Sequence, residues 1–187
     1  MNAPAGPLDG RLHWSGRVPL QWRVLQRPPD PGERARTEER NTTLLNALDL
    51  IEEGTGHHQE EPSPMAAQLE RLEAKFDLVI TLLSEILLPE AIAPETVALR
   101  MSSRGVAFEA PERIASGTLV ELSIHFSASL PRPVVLCGEV VQSAPGEERQ
   151  LAVAFRDIGS AVNDHLERLV FRRHRRSIAQ QRPLETA

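Results

Sequence analysis

A run of apolar residues between positions 64 and 88 constrains the fold of this chain more than any other feature. Its members recur at steps of 3, 4, 3, 4 and 3 residues, which is the period of a coiled-coil seam. Ser63 and Pro64 suit the start of a helix, and Pro89 ends the run. We therefore predict a helix over 64–88. Its seam residues are Leu69, Leu72, Phe76, Val79, Leu83 and Ile86.

A second amphipathic helix is predicted over 37–53, with Thr37 as its N-cap and Gly54 at its end. Its apolar stripe is formed by Leu44, Leu48 and Ile51. Two such helices bury little apolar surface alone and more in a four-helix or larger bundle. Residues 37–92 are thus predicted to form a homo-oligomeric helical bundle, for which a dimer is sufficient. A surface helix packed on its own domain is the alternative.

From residue 93 onward the pattern changes to short β-rich runs separated by turns, followed by a helix from Ser160 to about Gln180. This order predicts an α+β fold over 93–182, a small antiparallel β-barrel with a C-terminal helix. Residues 1–36 are Pro-rich and contain one candidate strand, 18–25. Because a lone strand is unstable, it needs a sheet in its own chain or in another copy.

Composition limits the function further. The 187 residues carry a net charge of −5, which argues against nucleic acid or an anionic membrane as the general partner. The single cysteine, Cys137, excludes an intrachain disulfide and suggests the cytoplasm. No apolar run approaches the roughly 20 residues of a membrane span, and no signal peptide is seen.

Residues 100–108, with the sequence RMSSRGVAF, resemble the motif of a PilZ domain, the bacterial receptor module for cyclic di-GMP. That motif reads Asp/Asn-x-Ser-x-x-Gly, so Ser102 and Gly105 match it, and the order of the predicted strands agrees as well. The resemblance covers about residues 95–176. It implies a six-stranded barrel with a C-terminal helix and a role in cyclic di-GMP signalling.

Two departures from the family pattern shape the functional prediction. Arg100 stands at the Asp/Asn position, and the stretch Leu88–Leu99 lacks the Arg-x-x-x-Arg segment that grips the ligand in the family. The helical insertion resembles an atypical branch whose heptad helices form tetramers without the ligand-binding residues. This resemblance favours a tetramer, although a dimer satisfies the sequence nearly as well. The chain is therefore predicted to be a non-enzymatic interaction module that contacts an unidentified signalling protein and requires no cofactor. The alternative is a true cyclic di-GMP receptor that uses Arg100, Ser102, Arg104 and Gly105.

Motifs for catalysis and metal binding are not found. The sequence has no glycine-rich phosphate loop and no Gly-x-Ser-x-Gly elbow. We interpret Cys137 as a small buried residue and the HHQEE segment at 57–61 as a solvated loop. No catalytic residue and no metal site are predicted.

The end of the last helix carries the strongest local positive charge. Such a basic cluster suits phosphates or an acidic partner, although cations at a helix C-terminus also interact favourably with the helix dipole. The residues concerned are Arg172, Arg173, Arg175 and Arg176.

Overall fold

The fold is a closed β-barrel with two long helices packed against it. The computed structural model describes residues 7–8, 10–54, 72, 75–76, 79, 94–111, 113–127, 130, 132–141 and 150–181. The strands are β1 Trp14–Val24, β2 Thr96–Ser102, β3 Gly105–Glu109, β4 Leu119–Ile124, β5 Val134–Val141 and β6 Gln150–Phe155. The helices are α1 Pro31–Gly54 and α2 Ser160–Gln181. Around the barrel the strand order is β1-β2-β3-β6-β5-β4, and every pairing is antiparallel.

The N-terminal strand closes the barrel within the same chain. The first half of β1 pairs with β2 as far as Pro19, and its second half pairs with β4 from Leu20 onward. Pro19 stands where the strand changes partner, a position at which the missing backbone N–H of proline is tolerated. The strand begins four residues earlier than the expected 18–25, and it needs no second copy to find a sheet.

Alternation along the strands directs one set of side chains into the barrel. The largest fully buried side chains there include Met101, Phe108, Leu122 and Ile124. Helix α2 packs on this core through one apolar face, whose residues recur at helical spacing. Its buried apolar residues are Val162, Leu166, Leu169 and Val170.

Helix α1 begins at Pro31, six residues before the sequence-based estimate that used Thr37 as the N-cap. The N-cap is Asp30, whose Oδ1 accepts the N–H of Glu33 at 2.8 Å, while Glu33 Oε2 accepts the N–H of Asp30 at 2.8 Å. This reciprocal pair is a capping box. Proline at the first helical position adds to it, so the true start is set by the sequence DPGE at 30–33.

The apolar stripe of α1 faces the barrel of its own chain. Leu45 and Leu48 are each 1% exposed and belong to the hydrophobic core, and Leu44 packs against that core. The Asn41 side chain donates to the carbonyl of Val135 at 2.7 Å and accepts its N–H at 3.0 Å. Leu48 is buried within its own chain by the barrel and α2, so the prediction that it lies in an intermolecular seam is wrong for this residue. For Leu44 and Ile51, which are partly buried, the seam stays a prediction.

Most of the predicted 64–88 helix lies outside the described residues. Within it, Leu72, Lys75, Phe76 and Val79 are helical. Leu72, Phe76 and Val79 are 50%, 59% and 51% exposed. Across the described ranges, no helix is long and apolar enough to cross a membrane.

Candidate functional site

The turn between β2 and β3 carries the residues that match the family motif. Ser102 and Gly105 face each other as the last pair of this hairpin, and Ser103 and Arg104 form the turn between them. The carbonyl of Arg104 accepts the N–H of Phe155 at 2.9 Å. The turn is therefore fixed to the end of β6. We call residues 102–105 the motif turn.

The hydroxyl of Ser102 is engaged inside the chain. It donates to the carbonyl of Pro7 at 2.8 Å and accepts the N–H of Arg104 at 3.1 Å. A serine hydroxyl has one hydrogen to donate, and the residue is only 1% exposed. In this conformation, no donor remains on Ser102 for an external ligand.

Gly105 has close neighbours on the side where a side chain would project. A Cβ atom placed there would lie 2.3 Å from the carbonyl oxygen of Val153 and 2.4 Å from Cβ of Pro7. Both separations are far inside van der Waals contact, and the first involves the backbone of β6, so only glycine fits here even without Pro7. Packing within the chain is thus sufficient to require the motif glycine.

The two arginines of the motif region differ in their surroundings. Arg100 lies on the outer face of β2 and donates from Nη2 to Oε1 of Gln150 at 2.7 Å. Arg104 is exposed at the tip of the hairpin. Of the upstream stretch that lacks arginine, residues 94–99 are described.

The predicted basic contact on α2 is largely engaged in ion pairs with α1. Glu52 has an 8% exposed side chain and receives Nε of Arg172 and Nε of Arg173, each at 3.1 Å. Arg176 donates from Nη2 to the backbone carbonyl of Glu52 at 2.9 Å. We call the contacts that Glu52 and Asp49 of α1 make with α2 the ion cluster.

Asp49, one turn before Glu52, extends the cluster along the two helices. Its Oδ2 lies 2.7 Å from Nδ1 of His165 and 3.4 Å from Nη2 of Arg168, and Oδ1 accepts a hydrogen bond from Arg172. Burial raises the pKa of Asp49, but the hydrogen bonds from Arg172 and His165 outweigh it, so the pKa lies below its ordinary value. The cluster thus ties a charged carboxylate to α2.

Aromatic rings complete the surroundings of two arginines. The guanidinium of Arg173 lies 4.6 Å from the ring centroid of Trp14 and 5.4 Å from that of Phe126, within cation–π range. Arg175 lies 5.7 Å from the Phe171 ring and is exposed. A contact to an external partner through these arginines stays a prediction, and Arg175 is the member that the ion cluster does not include.

Candidate metal ligands and nucleophiles give no further site within the described residues. No group of three or more His, Cys, Asp or Glu residues there could hold a metal ion. The segment 57–61 and the seam residues Leu69, Leu83 and Ile86 fall outside the described ranges. Cys137 is half-buried, and burial raises the pKa of its thiol, which disfavours the reactive thiolate.

Sequence reasoning missed two parts of this arrangement. Asp49 and Glu52 are three residues apart on one helix, and this spacing opposite an arginine-rich helix could have indicated the ion cluster. Nothing in the sequence around Pro7 indicated that it would cover the motif turn. Its role depends on the path of the chain before β1.

The closed six-stranded barrel, its C-terminal helix and the motif turn together define a PilZ-like fold. A family model described as "Atypical PilZ domain, cyclic di-GMP receptor" matches residues 45–183. The chain therefore belongs to the atypical PilZ domain family, a family of receptor and binding modules, which confirms the resemblance seen in the sequence.

One solved structure shares this fold along nearly its whole length. It is a crystal structure of a pathogenic protein from Xanthomonas campestris, described as a new tetrameric PilZ domain self-assembled via an unusual helical bundle. It is 26% identical, covers 92% of this chain and 93% of its own, and has a TM-score of 0.69. Comparison with curated proteins gave no match.

Proposed function

We propose that this chain is a non-enzymatic PilZ signalling module that self-associates and acts through protein contacts rather than by gripping cyclic di-GMP. The observation that carries this proposal is the internal use of the motif turn. The carbonyl of Pro7 accepts the hydrogen bond from the Ser102 hydroxyl, and the Pro7 ring covers Gly105. The Arg-x-x-x-Arg segment that would add guanidinium contacts to guanine and phosphate is missing from Leu88–Leu99.

Self-association is supported by the described part of the 64–88 helix. Leu72, Phe76 and Val79 follow one another at i, i+4 and i+7 and are all at least half exposed in the single chain. Apolar side chains at this spacing form one face of a helix, and they gain most when a partner helix removes them from water. The tetrameric helical bundle reported for the Xanthomonas protein supports a tetramer as the assembly.

The seam of that assembly is assigned to the 64–88 helix. Leu48 and Glu52 of α1 are not assigned to this seam, since Leu48 is in the core and Glu52 is tied to α2. The partner protein would meet a set of barrels presented together.

Calorimetric titration with cyclic di-GMP tests the ligand part of this proposal. We expect no binding at low micromolar concentration by the full chain. Binding that disappears in Arg104→Ala would contradict the proposal, because it would show that the motif turn is a working receptor site. Arg34→Ala, at an arginine paired with Asp157 far along the chain, is the matched control and should leave any binding unchanged.

The alternative function is a cyclic di-GMP receptor, and Arg104 is the observation that favours it. Its side chain is exposed at the tip of the motif turn, where a guanidinium is suited to bind a phosphate oxygen. Arg100 lies on the adjacent strand. Under this alternative, both Arg100→Ala and Arg104→Ala weaken the binding measured in the same titration.

A further inference from the structure

The segment that precedes β1 folds back over the end of the barrel. Gly10 has a φ of +64°, a conformation that glycine adopts readily, and the N–H of Arg11 donates to the carbonyl of Leu8 at 3.3 Å. This turn reverses the chain direction between Pro7 and the start of β1. It brings Pro7 back onto the motif turn.

Two hydrogen bonds hold the described part of this segment to other parts of the chain. Ser102 Oγ donates to the carbonyl of Pro7 at 2.8 Å, and Nδ1 of His174 lies 2.9 Å from the carbonyl oxygen of His13. The second contact fixes the segment to α2 just before β1 begins. The contact at Pro7 is therefore the one that can open while β1 keeps its place in the barrel.

The shape of the motif turn fits a proline ring. Gly105 lacks a side chain, and the Pro7 ring fills the space beside it, since a Cβ at that position would lie 2.4 Å from Pro7 Cβ. Ser102 supplies a donor for the carbonyl of the same residue. The turn thus contacts both the backbone carbonyl and the ring of Pro7, which is buried there.

We propose that the motif turn is a peptide-docking seat filled by this chain's own Pro7, which acts as a displaceable cover. This inference deepens the proposed function and rests on it in one respect, namely that Pro7 keeps cyclic di-GMP from the motif turn. A peptide that docks on the turn has to displace Pro7 before it reaches Ser102. The cover explains why the serine and glycine of the motif are present in the sequence although neither is accessible in the folded chain.

Thiol labelling tests the cover without any nucleotide. The reporter is Ser102→Cys in a Cys137→Ser background, which removes the native thiol, and a maleimide is the probe. We expect deletion of residues 1–10 to raise the labelling rate at least about tenfold, because the reporter would no longer need a local opening to react. Ser103→Cys, at the half-exposed neighbouring position, is the matched control and should label at the same rate with and without residues 1–10.

A point variant keeps the test decisive if the shortened chain folds poorly. Pro7→Gly in the full-length protein removes the ring but retains the segment, and it too should accelerate labelling of Ser102→Cys. Equal labelling rates in the full chain, the Pro7→Gly chain and the shortened chain would overturn the proposal. Failure of the proposed function appears instead as cyclic di-GMP binding by the full chain, so the two failures are distinguishable.

Discussion

The motif turn and the described residues of the predicted 64–88 helix differ in how far their side chains are buried and bonded within the single chain. At the motif turn, the Ser102 hydroxyl is hydrogen-bonded to Pro7 and the residue is 1% exposed. On the helix, the side chain of Phe76 is 59% exposed, although it has no polar atom that could hydrogen-bond to water. A ligand site needs free donors and an assembly surface needs uncovered apolar area. The comparison supports the proposal that the chain associates with itself through the exposed apolar face of this helix.

Helix α1 sharpens this comparison because its sequence pattern resembles that of the second helix. Both have apolar residues at steps of three and four. The barrel covers the stripe of α1 and leaves Leu72, Phe76 and Val79 exposed. The same period therefore serves intramolecular packing in one helix and is available for association in the other.

The largest expected effect comes from substitutions in the exposed apolar face of the predicted 64–88 helix. The double variant Leu72→Glu, Phe76→Glu places two charges where we expect a dry seam, which such an interface cannot accommodate unpaired. We expect the assembly to dissociate to the 20.7 kDa of a single chain, as measured by light scattering.

Lys75→Glu is the control for this variant. Lys75 lies between the two substituted residues in the sequence and is exposed, so the change reverses a charge beside the apolar stripe without placing a charge within it. It should leave the mass in solution unchanged. An assembly that survives the double variant would exclude Leu72 and Phe76 from the seam.

The second effect concerns the ion cluster that joins α1 to α2. Glu52→Ala leaves three arginines without their shared carboxylate, and removal of one member of a buried ion pair costs about 3–5 kcal/mol. We expect the free energy of unfolding, from chemical denaturation, to fall by about this amount. Arg34→Ala, which breaks the exposed pair with Asp157, should change it little, as is usual for surface pairs. Equal losses of unfolding free energy in both variants would show that the ion cluster stabilises the fold no more than an exposed ion pair does.

The third effect is the pH dependence that Asp49 imparts. Its pKa is lowered in the folded protein, whereas an unperturbed aspartate has a pKa of about 3.9. Its contribution to stability is therefore complete above that value and is lost as the pH falls through the folded-state pKa, because the unfolded chain then binds more protons.

Thermal unfolding between neutral pH and about pH 3 measures this contribution. Asp49→Asn should lower stability at neutral pH and flatten its loss in acid. Asp164→Asn, at an exposed position on α2, is the matched control and should follow the wild-type profile. A wild-type acid profile in Asp49→Asn would contradict the role assigned to the carboxylate.

The smallest effect tests the internal use of Ser102. Ser102→Ala leaves the Pro7 carbonyl and the Arg104 N–H without their partner, and an unmade buried hydrogen bond costs about 1–3 kcal/mol. We expect a loss of unfolding free energy in this range. Ser103→Ala should cost less, because the Ser103 hydroxyl makes a longer contact, 3.4 Å, with Glu167 near the surface. The reverse order would indicate that Ser102 is not engaged as described.

Local signals in the sequence were sufficient for much of the fold. Alternation of apolar residues predicts the strands from 96 to 155, and the inner face of α2 at Val162 and Leu166 follows from helical period alone. Turn residues set the hairpin at Ser102–Gly105. These features depend on neighbours a few residues away, which a single sequence displays.

The features that sequence reasoning could not give depend on contacts between distant residues. The period of Leu44 and Leu48 shows that one face of α1 is apolar but not whether a barrel or another chain covers it. Likewise, Pro7 and Ser102 are 95 residues apart in the chain, and nothing local links them. The start of α1 is a different case, since the capping box at Asp30 is a local pattern in the sequence. The prediction that placed the N-cap at Thr37 is wrong.

The most direct test of the central claim is the mass of the unmodified protein in solution, measured by light scattering at micromolar concentration without nucleotide. Assembly through the 64–88 helix predicts a mass of about four times the 20.7 kDa of one chain. A stable mass of one chain would contradict self-association and with it the proposal that the chain associates through the exposed apolar face of this helix.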